Sequence, residues 1–229
     1  MIQNFLRLRS QPLGLDARGL ATLELVPPSS AYRSGPARDA LVRRLLDELR
    51  AVRGASTGVT TVNSLGGGSW VAQLIAEDAQ SRDPNAIFTV NHRLITPGLL
   101  ETMGIPLLRG RAFNDQDRDN TAGVAIVSAR MAQRFWPEQD AIGKRVRVAR
   151  PGTPWIMVVG VAGNVSDSHD PGVPIETWYR PFSQGAGTAA AEKMLAGASV
   201  LIGAAGVPAC LVPALRALRL DPSVALRGD

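Results

Sequence analysis

Residues 194–215 read MLAGASVLIGAAGVPACLVPAL, a run of 22 positions, 194 through 215, without a charged side chain. At about 1.5 Å per residue a helix of this length reaches about 33 Å, enough to cross a hydrocarbon core of about 30 Å. Nine of its members are firmly apolar, among them Leu195, Val200, Ile202 and Leu211, and most of the rest are glycine or alanine. Small residues four apart, Ala205/Ala209 and Gly206/Cys210, let helix backbones approach closely in lipid, and Pro208 and Pro213 are tolerated among neighbouring helices. Arg216, Arg219 and Arg227 follow the run, whereas Glu192 and Lys193 cancel before it. That bias places the C-terminal side in the cytoplasm. The stretch therefore predicts a transmembrane helix over 194–217 and a cytoplasmic tail over 218–229, joined by a linker over 185–193 to a folded domain over 1–184. A buried alanine-rich helix of a soluble protein is the competing reading, and the length and basic flank argue against it.

Working outward, the 229 residues suffice for one domain of ordinary size beside a membrane segment. The net charge of +5 invites a nucleic-acid partner, but aromatics are only 5% and the cations are spread among apolar and acidic residues with no recognition motif. Nucleic acid is excluded on that ground, and weak attraction to anionic lipid is the better use of the surplus. The single cysteine, Cys210, forbids an internal disulfide and a Cys₂His₂-type zinc site. Residues 1–9 are too short and too charged for the apolar core of a signal peptide.

Along the domain, Arg18–Val26 alternates and stops at Pro27-Pro28, which predicts a strand. Pro36–Arg53 predicts an amphipathic helix with Leu41, Val42, Leu45, Leu46, Leu49 and Val52 on one stripe. Asp39–Arg43, Arg43–Asp47 and Arg44–Glu48 are i,i+4 pairs on its polar side. Val59–Leu65 returns the chain as a strand, giving β-α-β over 18–65. Trp70–Ala76 and Ile87–Ile95 are further strands around a polar loop, 77–85. A short helix follows from Pro97 to Met103, with Thr96 as its cap, then a brief strand at Ile105–Leu108 and a loop at Arg109–Asn120. Val124–Val127 is a strand, Ser128 caps a helix reaching Phe135-Trp136, Arg145–Ala149 pairs with Ile156–Val161 as a hairpin, and Thr177–Tyr179 is the last short strand. The fold class is α+β with a mixed sheet.

No residue set satisfies a catalytic, cofactor or metal pattern. Gly66-Gly67-Gly68 lacks the lysine and helix of a phosphate loop, and Gly143-Lys144-Arg145 lacks the upstream glycine. Gly160-Val161-Ala162-Gly163 follows a strand but leads to a loop rather than a helix N-terminus. His92 lies in an alternating strand and reads as a surface or sheet-edge residue. His169, between Asp167 and Asp170, has no second histidine at helical spacing. A soluble hydrolase built on His169, Asp167 and a serine has no G-x-S-x-G elbow to support it.

Three stretches carry a family resemblance. The first is Thr96-Pro97-Gly98-Leu99-Leu100 through Met103-Gly104-Ile105-Pro106-Leu107-Leu108-Arg109-Gly110-Arg111-Ala112-Phe113 to Val124–Ser128. The second is Arg134-Phe135-Trp136-Pro137, Ala141–Val146 and Val158–Val165. The third is the tail, Pro213–Ala217 with Asp221–Arg227, to which the front, Leu13–Gly19, adds support. Together these resemble the MacB/FtsX-like permeases of bacterial ABC transporters, and in particular the MacB-like periplasmic core domain. The resemblance implies that Gly98, Gly104, Gly110 and Gly143 are scaffold turns, that the domain does no chemistry, and that it binds no cofactor or metal. It implies the bacterial inner membrane, with the main domain periplasmic. The implied partners are a separate ATP-binding subunit, other permease chains or helices, a periplasmic protein and membrane lipid. It also implies an internally shortened permease, because the family carries a further β-α-β portion and more helices after Phe182-Ser183-Gln184. The alternative is a membrane-tethered interaction module with no transport role.

Overall fold

The computed structural model describes residues 14–16, 20–25, 34–50, 56–60, 70–79, 86–166, 175–185 and 198–203. The strands are β1 Leu20–Leu25, β2 Ser56–Thr60, β3 Val71–Ala76, β4 Phe88–Ile95, β5 Leu107–Gly110, β6 Val124–Ser128, β7 Arg145–Val148, β8 Ile156–Ala162, β9 Thr177–Pro181 and β10 Ala198–Gly203. The helices are α1 Gly35–Arg50, α2 Leu99–Thr102, α3 Ala129–Phe135 and α4 Phe182–Gly185. The α+β class and the order of elements from β1 to β9 agree with the sequence reading.

Six strands close on themselves. β4 pairs with β3 and, in parallel, with β9; β3 pairs with β7, β7 with β8, β8 with β6 in parallel, and β6 with β9. This ring leaves no free edge between its members, which removes the unpaired backbone that an open sheet exposes. One buried cluster draws on alternate residues of all six strands: Leu74, Val90, Val127, Val146, Val158 and Trp178. Only the inside of the ring can bring these together. Met131 and Phe135 of α3, with Trp136 just after it, belong to the same cluster and stop one end. There the rings of Phe88 and Phe135 lie 4.2 Å apart, and the Trp136 Nε1–H donates to the Glu77 carbonyl at 2.7 Å. A second cluster lies on the outer face, where Ile95, Ile126, Val159 and Tyr179 pack under Leu99 and Leu100 of α2 and Met103 just after it.

The remaining strands extend the sheet as β1-β10-β2-β4. β10 is antiparallel to β1 over six residue pairs and to β2 over five, so β1 and β2 run parallel with β10 between them. The β-α-β unit expected over 18–65 is thus a split one. α1 buries Leu41, Val42, Leu45, Leu46 and Leu49 as its periodicity requires, and the Asp39–Arg43 pair closes on its polar side. Val52 and the end of the helix expected to Arg53 lie outside the described residues.

β10 corrects the reading of 194–217. The described part of that stretch, Ala198–Gly203, is extended strand rather than transmembrane helix. The physical reason is local: two parallel strands one strand-width apart each present a row of N–H and C=O groups, and a segment carrying the β-branched Val200 and Ile202 satisfies both rows at once. A count of apolar residues cannot tell this from lipid. Among the described residues no helix is long and apolar enough to cross a membrane. The remainder of 194–217, the tail 218–229 and all of the linker 185–193 except Gly185 lie outside the described residues.

Two smaller differences concern α2. It starts at Leu99 with Gly98 as its N-cap, and the Thr96 hydroxyl instead accepts the Val59 N–H at 2.9 Å, tying β2 to the end of β4. Ser128 does cap α3, its Oγ accepting the Met131 N–H at 3.3 Å. Gly98, Gly104, Gly110 and Gly143 all have positive φ, between 64° and 84°, as turn positions should.

Candidate functional site

The parallel pair β4 and β9 begins at α3: Glu176 meets Arg130 and Arg134 at 3.2 and 3.3 Å, and Phe88 meets Phe135. Four residues further along, His92 and Arg180 lie toward the other end of the ring, and no part of α3 is there to fill it. They line an open cleft of about 1310 Å³, with Ala72, Ile156 and Trp178 in its floor and Trp70, Trp155 and Arg150 on its rim.

The floor is built from the register. His92 lies directly beside Trp178 in the parallel ladder, and their rings stack with centroids 4.6 Å apart. His92 is 8% exposed. Burial, seconded by the positive charge of Arg180, lowers its pKa to about 3, so the imidazole is neutral at physiological pH. This corrects its reading as a surface or edge residue: β4 is an interior strand, paired on both sides. Burial also lowers Arg180, to about 10, against the attraction of Asp119. Its guanidinium lies 5.7 Å from the Trp178 ring centre. Three buried nitrogens here, His92 Nε2, Trp178 Nε1 and Arg180 Nε, have no hydrogen-bond partner among the described residues.

Two polar knots hold one side of the cleft. The buried Gln184 donates through Nε2 to the carbonyls of Arg118 and Ala122 and to Thr121 Oγ1, at 3.0 to 3.2 Å, and its Oε1 accepts the Val124 N–H at 3.0 Å. Asp117 takes two bonds of 2.8 Å from Arg111, while its carbonyl accepts the Ser183 hydroxyl at 2.6 Å. Burial pushes the Asp117 carboxyl up, but the Arg111 bonds, the Asn114 N–H and the Arg111 charge outweigh it and leave the pKa lowered. Gln184→Met keeps the volume and strands several of these partners. It should lower the unfolding free energy by about 2–4 kcal/mol, measured by urea titration. A change under about 0.5 kcal/mol would show that the loop holds itself.

On the opposite lip Trp155 is 37% exposed and carries two guanidiniums over its ring, Arg147 at 4.9 Å and Arg145 at 5.7 Å. Arg145 is also paired with Glu77, bonding through Nε at 2.7 Å. Val71 and Met157, both exposed, extend the apolar surface outside the ring.

The MacB-like periplasmic core domain family matches residues 3–200 of the chain. The chain belongs to that family. Its fold is similar to the periplasmic region of MacB from Actinobacillus actinomycetemcomitans, at 13% identity over 96% of this chain and 89% of that one, with a TM-score of 0.53. The extracellular domain of the ABC-type transporter YknZ from Gram-positive bacteria is 17% identical, over 90% of this chain and 92% of that one, with a TM-score of 0.46. No curated protein matches the chain. The family match runs past residue 184, through 185–193, and takes in the first residues of β10.

In this MacB-like domain the motifs weighed from sequence have structural roles where they are described. Lys144, after the Gly143 turn, meets Asp78 at 3.3 Å. Gly160 lies inside β8, where a Cβ would come within 2.6 Å of the Arg111 carbonyl oxygen. The N-terminus of α3, next to Gly163, is closed by Asn164 Oδ1, which accepts the Arg130 N–H at 2.7 Å, and by Ser128. Those N–H groups are taken. Gly66-Gly67-Gly68, Asp167, His169 and Asp170 lie outside the described residues. The sequence reading missed the cleft. Its only signals were an alternating strand carrying His92 and a Trp178–Arg180 pair at strand spacing, and neither announces that β4 and β9 are neighbours.

Proposed function

We propose that the chain serves as the extracytoplasmic domain of an ABC-type permease in a bacterial inner membrane, and that it breaks no bonds itself. The family match over residues 3–200 carries this reading. A separate ATP-binding subunit supplies the energy, and further transmembrane helices, from other permease chains or elsewhere, pass its motion to the domain.

Co-reconstitution in liposomes with a cognate nucleotide-binding subunit and full permease chains tests the reading. Added to that complex, the chain should co-purify with it and change its ATPase rate severalfold. No co-purification and an unchanged rate would favour the alternative of a tethered interaction module without a transport role.

A further inference from the structure

We propose that the open end of the six-stranded ring binds a carboxylate carried on an apolar body. The ring floor presents the Trp178 indole N–H and the Arg180 Nε–H, both buried and both without an acceptor among the described residues, beside the unpartnered Nε2 of His92. Trp178 is 1% exposed and His92 8%, so bulk water does not serve these atoms. Buried polar groups in native proteins nearly always have a partner, and three such nitrogens, on His92 and Trp178 at one register position and on Arg180 two residues along β9, mark a place where one is missing.

The chemistry of the partner follows from the donors. An indole N–H, the Nε–H of a guanidinium whose Nη2 already reaches Gln184 Oε1 at 3.4 Å, and a neutral imidazole that donates through Nε2 in its Nε2–H tautomer together ask for an acceptor of single negative charge, which a carboxylate supplies. The charged groups lining the cleft are Arg145, Arg150 and Arg180 against Asp119, and Glu77 already occupies Arg145, so the site retains a positive excess. The volume of about 1310 Å³ and the surfaces of Ala72, Val148, Ile156, Met157 and Trp155 provide for an apolar chain or ring attached to that head.

Decanoate is the probe, with decanamide as its uncharged counterpart and decyl phosphate as the more highly charged one, all below their aggregation thresholds. Tryptophan fluorescence reports binding, since three of the four tryptophans, Trp70, Trp155 and Trp178, line the cleft. Decanoate should saturate one site, and decanamide and decyl phosphate should each bind about tenfold or more weaker. Trp178→Phe removes one N–H while keeping a ring and should weaken decanoate about fivefold or more; Arg180→Gln should weaken it further. Because Arg180→Gln risks the fold, a second readout uses the unaltered chain: the imidazole signals of His92, one of only two histidines, should shift with decanoate and not with decanamide. Equal binding of decanamide, tighter binding of decyl phosphate, or saturation that leaves His92 unmoved would each overturn the assignment.

Discussion

Lowering the pH from 7.5 to 5 should remove about 2 kcal/mol of stability through His92 alone, and His92→Phe should abolish that part of the loss. The sign follows from the direction of the shift. In the unfolded chain the imidazole takes up a proton near pH 6.5, whereas in the folded domain it resists until about 3. Between these values the unfolded state binds the extra proton, so acid favours unfolding by about 1.4 kcal/mol per pH unit. The contribution is complete above pH 6.5 and gone below about 3. Carboxylates such as Asp117, lowered in the folded state, add their own loss further down, so the window from 7.5 to 5 isolates the histidine. Phenylalanine preserves the stack on Trp178 and removes the titrating nitrogen. Urea midpoints at four or five pH values, for both proteins, give the comparison. Parallel curves would mean that His92 is solvated in the folded state, and the closed ring would then be wrong at β4.

Gly110→Ala should destabilise by about 3–5 kcal/mol, several times more than Gly143→Ala at about 1 kcal/mol. Both glycines hold left-handed backbone, at φ +76° and +84°. They differ in what a methyl group would meet. At Gly143 nothing lies within 4 Å, so only backbone strain counts. At Gly110 the new carbon would sit 2.2 Å from the Val159 carbonyl oxygen and 3.0 Å from the Gly160 Cα. These are backbone atoms of β8, across the Gly110–Gly160 register pair, and β8 is locked into the ring on both sides. β5 must then come away from β8, with loss of its ladder bonds. Thermal or urea unfolding of the two variants separates strain from collision, and equal losses would show that β5 yields freely.

What the residues announced, and what they concealed, divides by range. The leucine stripe of α1, the Ser128 cap and the β7–β8 hairpin depend on neighbours within a few positions, and each was legible; the four turn glycines came through the family resemblance. The ring was not. Its closure rests on the parallel pairs β4–β9 and β6–β8, which join residues as distant as Asn91 and Thr177, and alternation in a strand says nothing of its partner. The burial of His92 was hidden for the same reason, since a polar residue in an alternating strand looks outward until the strand gains neighbours on both edges. Residues 198–203 misled differently. Val200, Leu201 and Ile202 satisfy a helix in lipid and a central strand equally well, and only the gap between β1 and β2 decides.

That last strand also sets a timetable. The ring needs nothing beyond Pro181, where β9 ends, whereas β1 is joined to the sheet through β10, so the β1–β10–β2 layer is complete only once Ala198–Gly203 is in place. Until then the facing edges of β1 and β2 carry unpaired N–H and C=O groups, the kind of edge that invites pairing with strands of other molecules.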